Sequence, residues 1–291
     1  MRYSLIIPHH NIPDKLRRLL STLPVRDDLE VIVVDDCSDK NIAELEAVKN
    51  EFPNAKFLTT TVNGGGGKAR NIGLAHAQGD YLIFADADDF FLPSLSGLLD
   101  KYKDEDHDMV IFNAISLMEN TMNVSHRNDH LSVEISKLMK SENKDCFYFR
   151  YRFGEPWCSI IKRAIVEREN IRFDEIPKHN DAAFAYKVGA YANDVVVDNT
   201  AAYCIIDRPD SVSKRIGDDI EQLRLEVFAK KHAYLKQHGV DIFDSPISST
   251  FVVAVKQMDR DKLKSYFAIA KKYGISKWDI IREAFKNKLR L

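Results

Sequence analysis

Four short apolar runs, each followed by a cluster of polar or glycine residues, fall within the first 90 residues and restrict what this chain can fold into. Residues 3–7 (YSLII) lead into Pro8-His9-His10-Asn11, and residues 30–34 (EVIVV) run into Asp35-Asp36. Residues 56–61 precede Asn63 and four glycines, and residues 81–85 (YLIFA) close on Asp86-Ala87-Asp88-Asp89. Between them, Leu16, Leu19, Leu20 and Leu23 recur at helical spacing, and residues 41–51 and 68–77 also read as helices. Strands alternating with helices at this rhythm predict right-handed βαβ units and an α/β fold with a doubly wound, mostly parallel mixed sheet. Such sheets bind ligands at the carboxyl ends of their strands. That is where the polar clusters lie.

Further along, strands are expected at 109–115, 147–151, 195–197 and 202–206, and helices at 133–141, 163–170 and 181–192. From about residue 217 the pattern is wholly helical, over 220–238, 247–258, 262–273 and 277–289. The expected organisation is therefore an α/β domain over 1–214, with halves 1–105 and 106–214, followed by an all-helical extension over 215–291. Charge divides the same way. Residues 1–214 hold 26 Lys and Arg against 34 Asp and Glu, whereas 215–291 hold 16 against 10. The net of −2 lacks the basic excess of a nucleic-acid binder, so no nucleic-acid partner is expected. Four scattered cysteines, with no CxxC pair, fit a reducing cytosol better than a disulfide framework. No run approaches the ~20 apolar residues of a membrane span, so a cytoplasmic location is expected and any membrane role must be peripheral.

Three clusters carry chemistry. Asp86, Asp88 and Asp89 crowd like charges at a strand end, and a hard divalent ion, Mn²⁺ or Mg²⁺, is the natural compensation. The bland alternative is that Asp89 caps a helix and the others are solvated. The stretch from Asn63 and Gly64 through Lys68 to Arg70 exposes backbone N–H groups suited to phosphate. It is no Walker A loop, which would need glycine at Val62 and Ser or Thr at Ala69. A flexible connector with a solvated Lys68/Arg70 pair remains the alternative. Asp35 and Asp36 could accept from a base N–H or a ribose hydroxyl, or merely cap a helix. His9 and His10 could touch a ligand. His126 and His130 read as surface.

Taken in order, SLIIPHHN, VIVVDDCSD, NGGGGKARNIGL and GDYLIFADADDFFLP resemble family-two glycosyltransferases of the GT-A fold. Weaker likeness continues through Trp157, residues 171–180 and residues 202–213. The resemblance implies a nucleotide-sugar-binding half at 1–105 and an acceptor half at 106–214. It implies inverting transfer of a hexose from a nucleoside diphosphate donor, UDP first, to an acceptor hydroxyl in cell-surface polysaccharide or glycolipid synthesis. Pro8 and His10 would shape the base pocket, Asp35 would accept the base N–H, and Asp86 would face ribose or metal. Asp88 would ligate Mn²⁺ or Mg²⁺, and Arg70 would lie near the diphosphate. Asn11, Asn63, Gly64, Lys68 and Ala87 complete the donor site. Asp181 would be the general base, standing in the family's Glu-Asp pair with Asn180 in place of the Glu. His10 replaces the usual tyrosine.

The implied acceptor is a saccharide or lipid-linked saccharide. Two other classes stay open: a catalytically impaired nucleotide-sugar binder and a sugar nucleotidyltransferase. Trp278, Ile281, Phe285 and Leu289 form an apolar stripe beside Arg282, Lys286 and Arg290. This basic amphipathic helix could dock on the α/β domain, the favoured reading, or contact the inner face of a membrane.

Overall fold

The structure is a computed structural model, described here for residues 2–208 and 217–288. It divides into two compact units, Met1–Pro209 and Asp210–Leu291. The first unit opens β1 (Tyr3–His9), α1 (Pro13–Ser21), β2 (Leu29–Asp35), α2 (Ile42–Glu51), β3 (Lys56–Thr59), α3 (Gly65–His76) and β4 (Tyr81–Phe84). It continues with β5 (Phe90–Phe91), α4 (Ser94–Tyr102), β6 (Met109–Met118), α5 (Asp129–Lys140) and α6 (Phe147–Tyr151). After a 3-10 turn at Pro156–Cys158 come β7 (Ser159–Lys162), α7 (Arg163–Arg168), α8 (Ala182–Tyr191) and β8 (Val195–Asp207).

All eight strands join one sheet in the order β3-β2-β1-β4-β7-β6-β8-β5. The β1–β2, β2–β3, β1–β4 and β6–β8 pairs are parallel, while β7 runs antiparallel to both neighbours and β5 antiparallel to β8. The expected α/β, mostly parallel mixed sheet is therefore present. The first strands read as near-continuous apolar runs because both faces are covered: Leu5, Ile6, Ile7, Ile32, Val33, Val34, Leu82 and Ile83 are all buried.

Two expected elements differ. Residues 147–151 (FYFRY) suggest a strand by aromatic content but form helix α6. Tertiary packing overrides the propensity. The Arg150 carbonyl lies so close to α8 that a Cβ on Gly189 would sit 1.8 Å from it, and Arg150 Nε donates to the Gly189 carbonyl at 2.9 Å. The two strands expected at 195–197 and 202–206 are one strand, β8. The polar Asp198-Asn199-Thr200 between them is a register shift against β6, not a break. Asp198 accepts there from Thr200 N–H at 2.7 Å, Lys101 Nζ at 2.7 Å and Tyr102 Oη at 3.0 Å.

The second unit is helical: α9 (Asp218–Gln237), α10 (Ser245–Lys256), α11 (Arg260–Lys272) and α12 (Lys277–Lys288). Its own core gathers Leu225, Ile247, Phe251, Tyr266 and Ile280.

Candidate functional site

The parallel register sets the ends of β1 and β2 side by side, with His9 opposite Asp35. His9 Nδ1 donates to Asp35 Oδ1 at 2.9 Å, and His9 Nε2 accepts from Ile12 N–H. Ser38 adds its hydroxyl to Asp35 Oδ1 at 2.5 Å and its N–H to Oδ2 at 3.2 Å. Burial pushes the Asp35 carboxyl up, but the bonds from His9 and Ser38 outweigh it and hold the group below the usual carboxylate range. Asp36 takes a different task. Its carboxylate accepts from Thr60 Oγ1 at 3.0 Å and from the N–H groups of Gly64 and Gly65. Sequence reasoning did not separate these neighbours; the period-two alternation of side chains along an extended chain is the signal that could have.

His10 is exposed between them. Its Nδ1 lies 3.0 Å from the Asp36 carbonyl, and Nε2 faces the amide nitrogens of Asn11 at 2.9 Å and Asn63 at 3.2 Å. This network selects the tautomer protonated at Nδ1. Asn11, at φ 60°, accepts through Oδ1 from the N–H groups of Asp39 and Lys40. Pro8, His10, Asn11, Asp35, Asn63 and Gly64 thus meet at adjoining strand ends.

The glycine run opens α3 rather than serving as a slack connector. Lys68, on the first turn, has no ion pair among the described residues. Arg70 is buried, which removes the solvated Lys68/Arg70 alternative. Its Nη2 donates to Asp86 Oδ1 at 2.5 Å, its Nη1 to Asn180 Oδ1 at 3.0 Å, and its guanidinium lies over Phe173. Gly67 makes this junction possible, because a Cβ there would stand 2.2 Å from the Asp174 carbonyl and 3.2 Å from Asn180 Cβ.

After β4, the carboxylate oxygens of Asp86, Asp88 and Asp89 can all lie within 4.8 Å of one another. Ala87 is buried between them. Asp89 does not cap α4, whose N-cap is Pro93. It accepts instead from Tyr203 Oη at 2.9 Å and from Ile206 N–H at 2.7 Å, tying the cluster to β8. Asp86 and Asp88 are then the carboxylates that could hold a cation, and two hard oxygen donors suit Mg²⁺ or Mn²⁺. Burial, then the charge of Asp86, raises the Asp88 carboxyl, with Arg208 opposing. Arg208 pairs with Asp88 through Nη2, and Arg18 donates to the Asp88 carbonyl. Arg18 sits in no recognisable motif, and Arg208, though inside the resembling stretch 202–213, was given no role by the sequence. The resembling residues 209–213 lie outside the described structure.

Asp181 stands at the N-cap of α8 but makes no side-chain capping bond. Burial raises its carboxyl to about 6, against the opposing charge of Arg70. Its neighbour Asn180 binds Arg70, so one guanidinium spans from Asp86 to the segment bearing Asp181. Trp157 stacks on Tyr203 at 5.7 Å and 11°.

A family profile described as Glycosyl transferase family 2 matches residues 4–169. The chain belongs to this family. One relative, the poly(ribitol-phosphate) beta-N-acetylglucosaminyltransferase TarS of Staphylococcus aureus (strain Mu50), is 36% identical over 95 residues, 31% of this chain and 17% of TarS. The chain thus spans about a sixth of the length of that relative. An uncharacterized glycosyltransferase of Haemophilus influenzae is 32% identical over 190 residues, 62% of this chain and 69% of the relative. Among solved structures, S. aureus TarS 1–349 in complex with UDP-GlcNAc aligns at a TM-score of 0.69 and 20% identity, covering 94% of this chain and 80% of that one. The mannosyltransferase PcManGT from Pyrobaculum calidifontis, in complex with GDP-Man and Mn²⁺, aligns at 0.58 and 16% identity, covering 99% and 80%. These structures share the fold over more of the chain than the profile matches.

Proposed function

We propose that this family-2 chain is an inverting glycosyltransferase, moving a sugar from a UDP-type donor to an acceptor hydroxyl in cell-surface polysaccharide synthesis. The carrying observation is Arg70, whose guanidinium joins Asp86 on the donor side to Asn180 beside Asp181. Pro8, His10, Asn11 and Asn63 offer the nucleotide a walled strand-end crevice. Asp35 Oδ2, with a single long bond from Ser38 N–H, retains capacity for a base N–H. Lys68 and Arg70 face the diphosphate, Gly64 shapes the turn before them with its N–H held by Asp36, and Asp86 and Ala87 line the ribose side.

Asp88, with Asp86, would hold Mn²⁺ or Mg²⁺, which when bound supplies Lewis-acid stabilisation of charge on the departing phosphate. Asp181 accepts the proton of the attacking hydroxyl. A carboxyl near pKa 6 is mostly ionised at neutral pH yet more basic than an ordinary aspartate, as a general base requires. The expected lipid-linked acceptor would bring the protein to the cytoplasmic membrane face, and α12 supports that contact. Trp278 and Phe285 are 78% and 65% exposed, beside exposed Arg282. The side chain of Lys286, and all of Leu289 and Arg290, lie outside the described residues.

The test is incubation of the pure chain with UDP-GlcNAc, Mn²⁺ and a saccharide acceptor panel. Transfer with release of UDP is expected. Release of pyrophosphate would indicate nucleotidyl transfer, and Mn²⁺-dependent binding with no release would indicate the impaired binder that Asn180 raises.

A further inference from the structure

His9 closes β1 with a side chain that is 0% exposed, so it cannot itself touch a ligand in the strand-end crevice. What it touches is Asp35. The parallel register sets the two residues opposite each other, and Asp36 N–H donates to the His9 carbonyl at 2.8 Å, fixing both backbones at that level. Each ring nitrogen then has its own partner. Ile12 N–H, which can only donate, reaches Nε2 at 3.2 Å, so Nε2 is the bare nitrogen and Nδ1 carries the proton. That proton goes to Asp35 Oδ1 at 2.9 Å. Ser38 Oγ, which accepts from Asn11 N–H at 2.8 Å, gives its own proton to the same oxygen. Two donors on Oδ1 fix the carboxylate in one orientation. Oδ2 is the oxygen left with capacity, its bond from Ser38 N–H being 3.2 Å long.

We infer that His9 is a positioning residue for base selection: by holding Oδ1 it keeps Oδ2 aimed at a ring N–H and so favours uracil over cytosine. The inference rests on the reading of Asp35 as the acceptor for the donor's base. Uracil presents an N–H between its two carbonyls; cytosine presents a lone pair at that place and an amino group beside it. A carboxylate oxygen held still meets the first with a hydrogen bond and the second with repulsion. A carboxylate free to turn reaches the cytosine amino group instead, and the discrimination shrinks. Fixed orientation is what makes a single acceptor selective, and His9 supplies it from a position no base can occupy. The same ring braces the start of α1, because Ile12 is the N-cap residue of that helix, where no side chain caps.

The test compares UDP and CDP binding by calorimetry, with Mn²⁺, in the full-length protein and its variants. His9→Gln keeps an acceptor for Ile12 N–H but removes the donor at the Nδ1 position, and His9→Asn does the reverse. The preference for UDP over CDP is expected to fall by roughly tenfold in His9→Gln, the usual worth of one hydrogen bond to a charged group. It should be largely kept in His9→Asn. A purely structural role would lower the melting temperature and both affinities together, so a native preference in folded His9→Gln overturns the inference. One measurement needs no variant. In native protein carrying ¹⁵N-histidine, the His9 ring is expected to show a protonated Nδ1 and a bare Nε2, and the opposite tautomer overturns the inference as well. A UDP preference absent from the native chain, or surviving in Asp35→Asn, overturns the reading of Asp35 itself, whatever the His9 variants show.

Discussion

The ends of β1 to β4 and the segments around β6 to β8 build the two sides of one site by different means. On the proposed donor side, polar groups close strands that lie next to each other in a parallel sheet. Partners are set by register: His9 meets Asp35 across β1 and β2, and Asp36 meets Gly64 and Gly65 just past β3. On the proposed acceptor side the groups lie in loops and at helix ends and are fixed by remote packing. Arg70 reaches Asn180 across 110 positions, and Tyr203 reaches Asp89 across 114. Regular topology converts a repeated sequence pattern into a cluster, whereas loops acquire their geometry only from the finished fold.

The largest expected effect would break the donor side. Asp88→Asn keeps the shape of the side chain but removes the charge of the proposed metal ligand. Mn²⁺-dependent binding of UDP-GlcNAc, followed by calorimetry, is expected to disappear while the circular dichroism spectrum and melting temperature stay near native. Retained Mn²⁺-dependent affinity would move the ligand role to Asp86. Arg208→Ala sharpens the same point, because it frees Asp88 from its ion pair, and should leave metal dependence in place.

The acceptor side breaks at Asp181. Asp181→Asn is expected to bind donor normally and to lose transfer by roughly 10²–10⁴-fold, the usual worth of general-base catalysis. The pH profile follows from the sign of the shift. The carboxylate is the active form and its pKa is raised to about 6, so kcat should fall as pH drops below about 6 and level off above it. An ordinary, unraised carboxyl would keep full rate down to about pH 5. A simple helix cap would instead show normal turnover and a lowered melting temperature. The missing capping bond at α8 argues against that outcome.

The comparison also explains what the sequence made legible. Alternating runs and their polar ends disclosed the sheet, the acidic cluster and the glycine turn, because strand period and strand order are local properties. Asp89 was visible as a member of the cluster but not as the anchor of Tyr203, since that bond joins the residue before β5 to β8, 114 positions away. Helix α6 was hidden by the strand-like aromatics of FYFRY, whose conformation is decided by Gly189 on α8. Arg208 could be found only after β8 brought it to Asp88.

A smaller effect should appear where the two sides touch. Gly67 admits the Asp174 carbonyl and Asn180 against α3, and Gly67→Ala places a methyl where neither can remain. Overpacking of this kind costs typically about 1–3 kcal/mol. A lower melting temperature is expected, together with reduced transfer, because Arg70 and Asn180 are pushed apart. Donor affinity, which also draws on the ends of β1 and β2 and on Asp88, should fall less than kcat. An equal fall in both would mean that the donor and acceptor sides are a single unit mechanically.

The smallest effect concerns the helical unit. Unit one carries a net acidic charge and unit two a net basic one, which makes the second the natural candidate for an anionic surface. Within α12, Trp278, Ile281 and Phe285 are exposed at 78%, 43% and 65%, while Ile280 beside them is buried. Of these four, Ile280 belongs to the core of the helical unit and Trp278, Ile281 and Phe285 do not. An amphipathic helix gains membrane affinity from its buried apolar groups plus roughly 1 kcal/mol per basic residue near an anionic leaflet. Trp278→Ala combined with Phe285→Ala removes the two most exposed aromatic groups without touching the unit's core. The native chain is expected to co-sediment with vesicles containing phosphatidylglycerol and not with pure phosphatidylcholine, and the double variant should lose most of that binding. The dependence should weaken with salt, because the basic share of the attraction is screened over a Debye length of about 8 Å at physiological ionic strength. Equal and negligible sedimentation of both proteins would remove the membrane from the role of α12 and leave its aromatics to a protein partner.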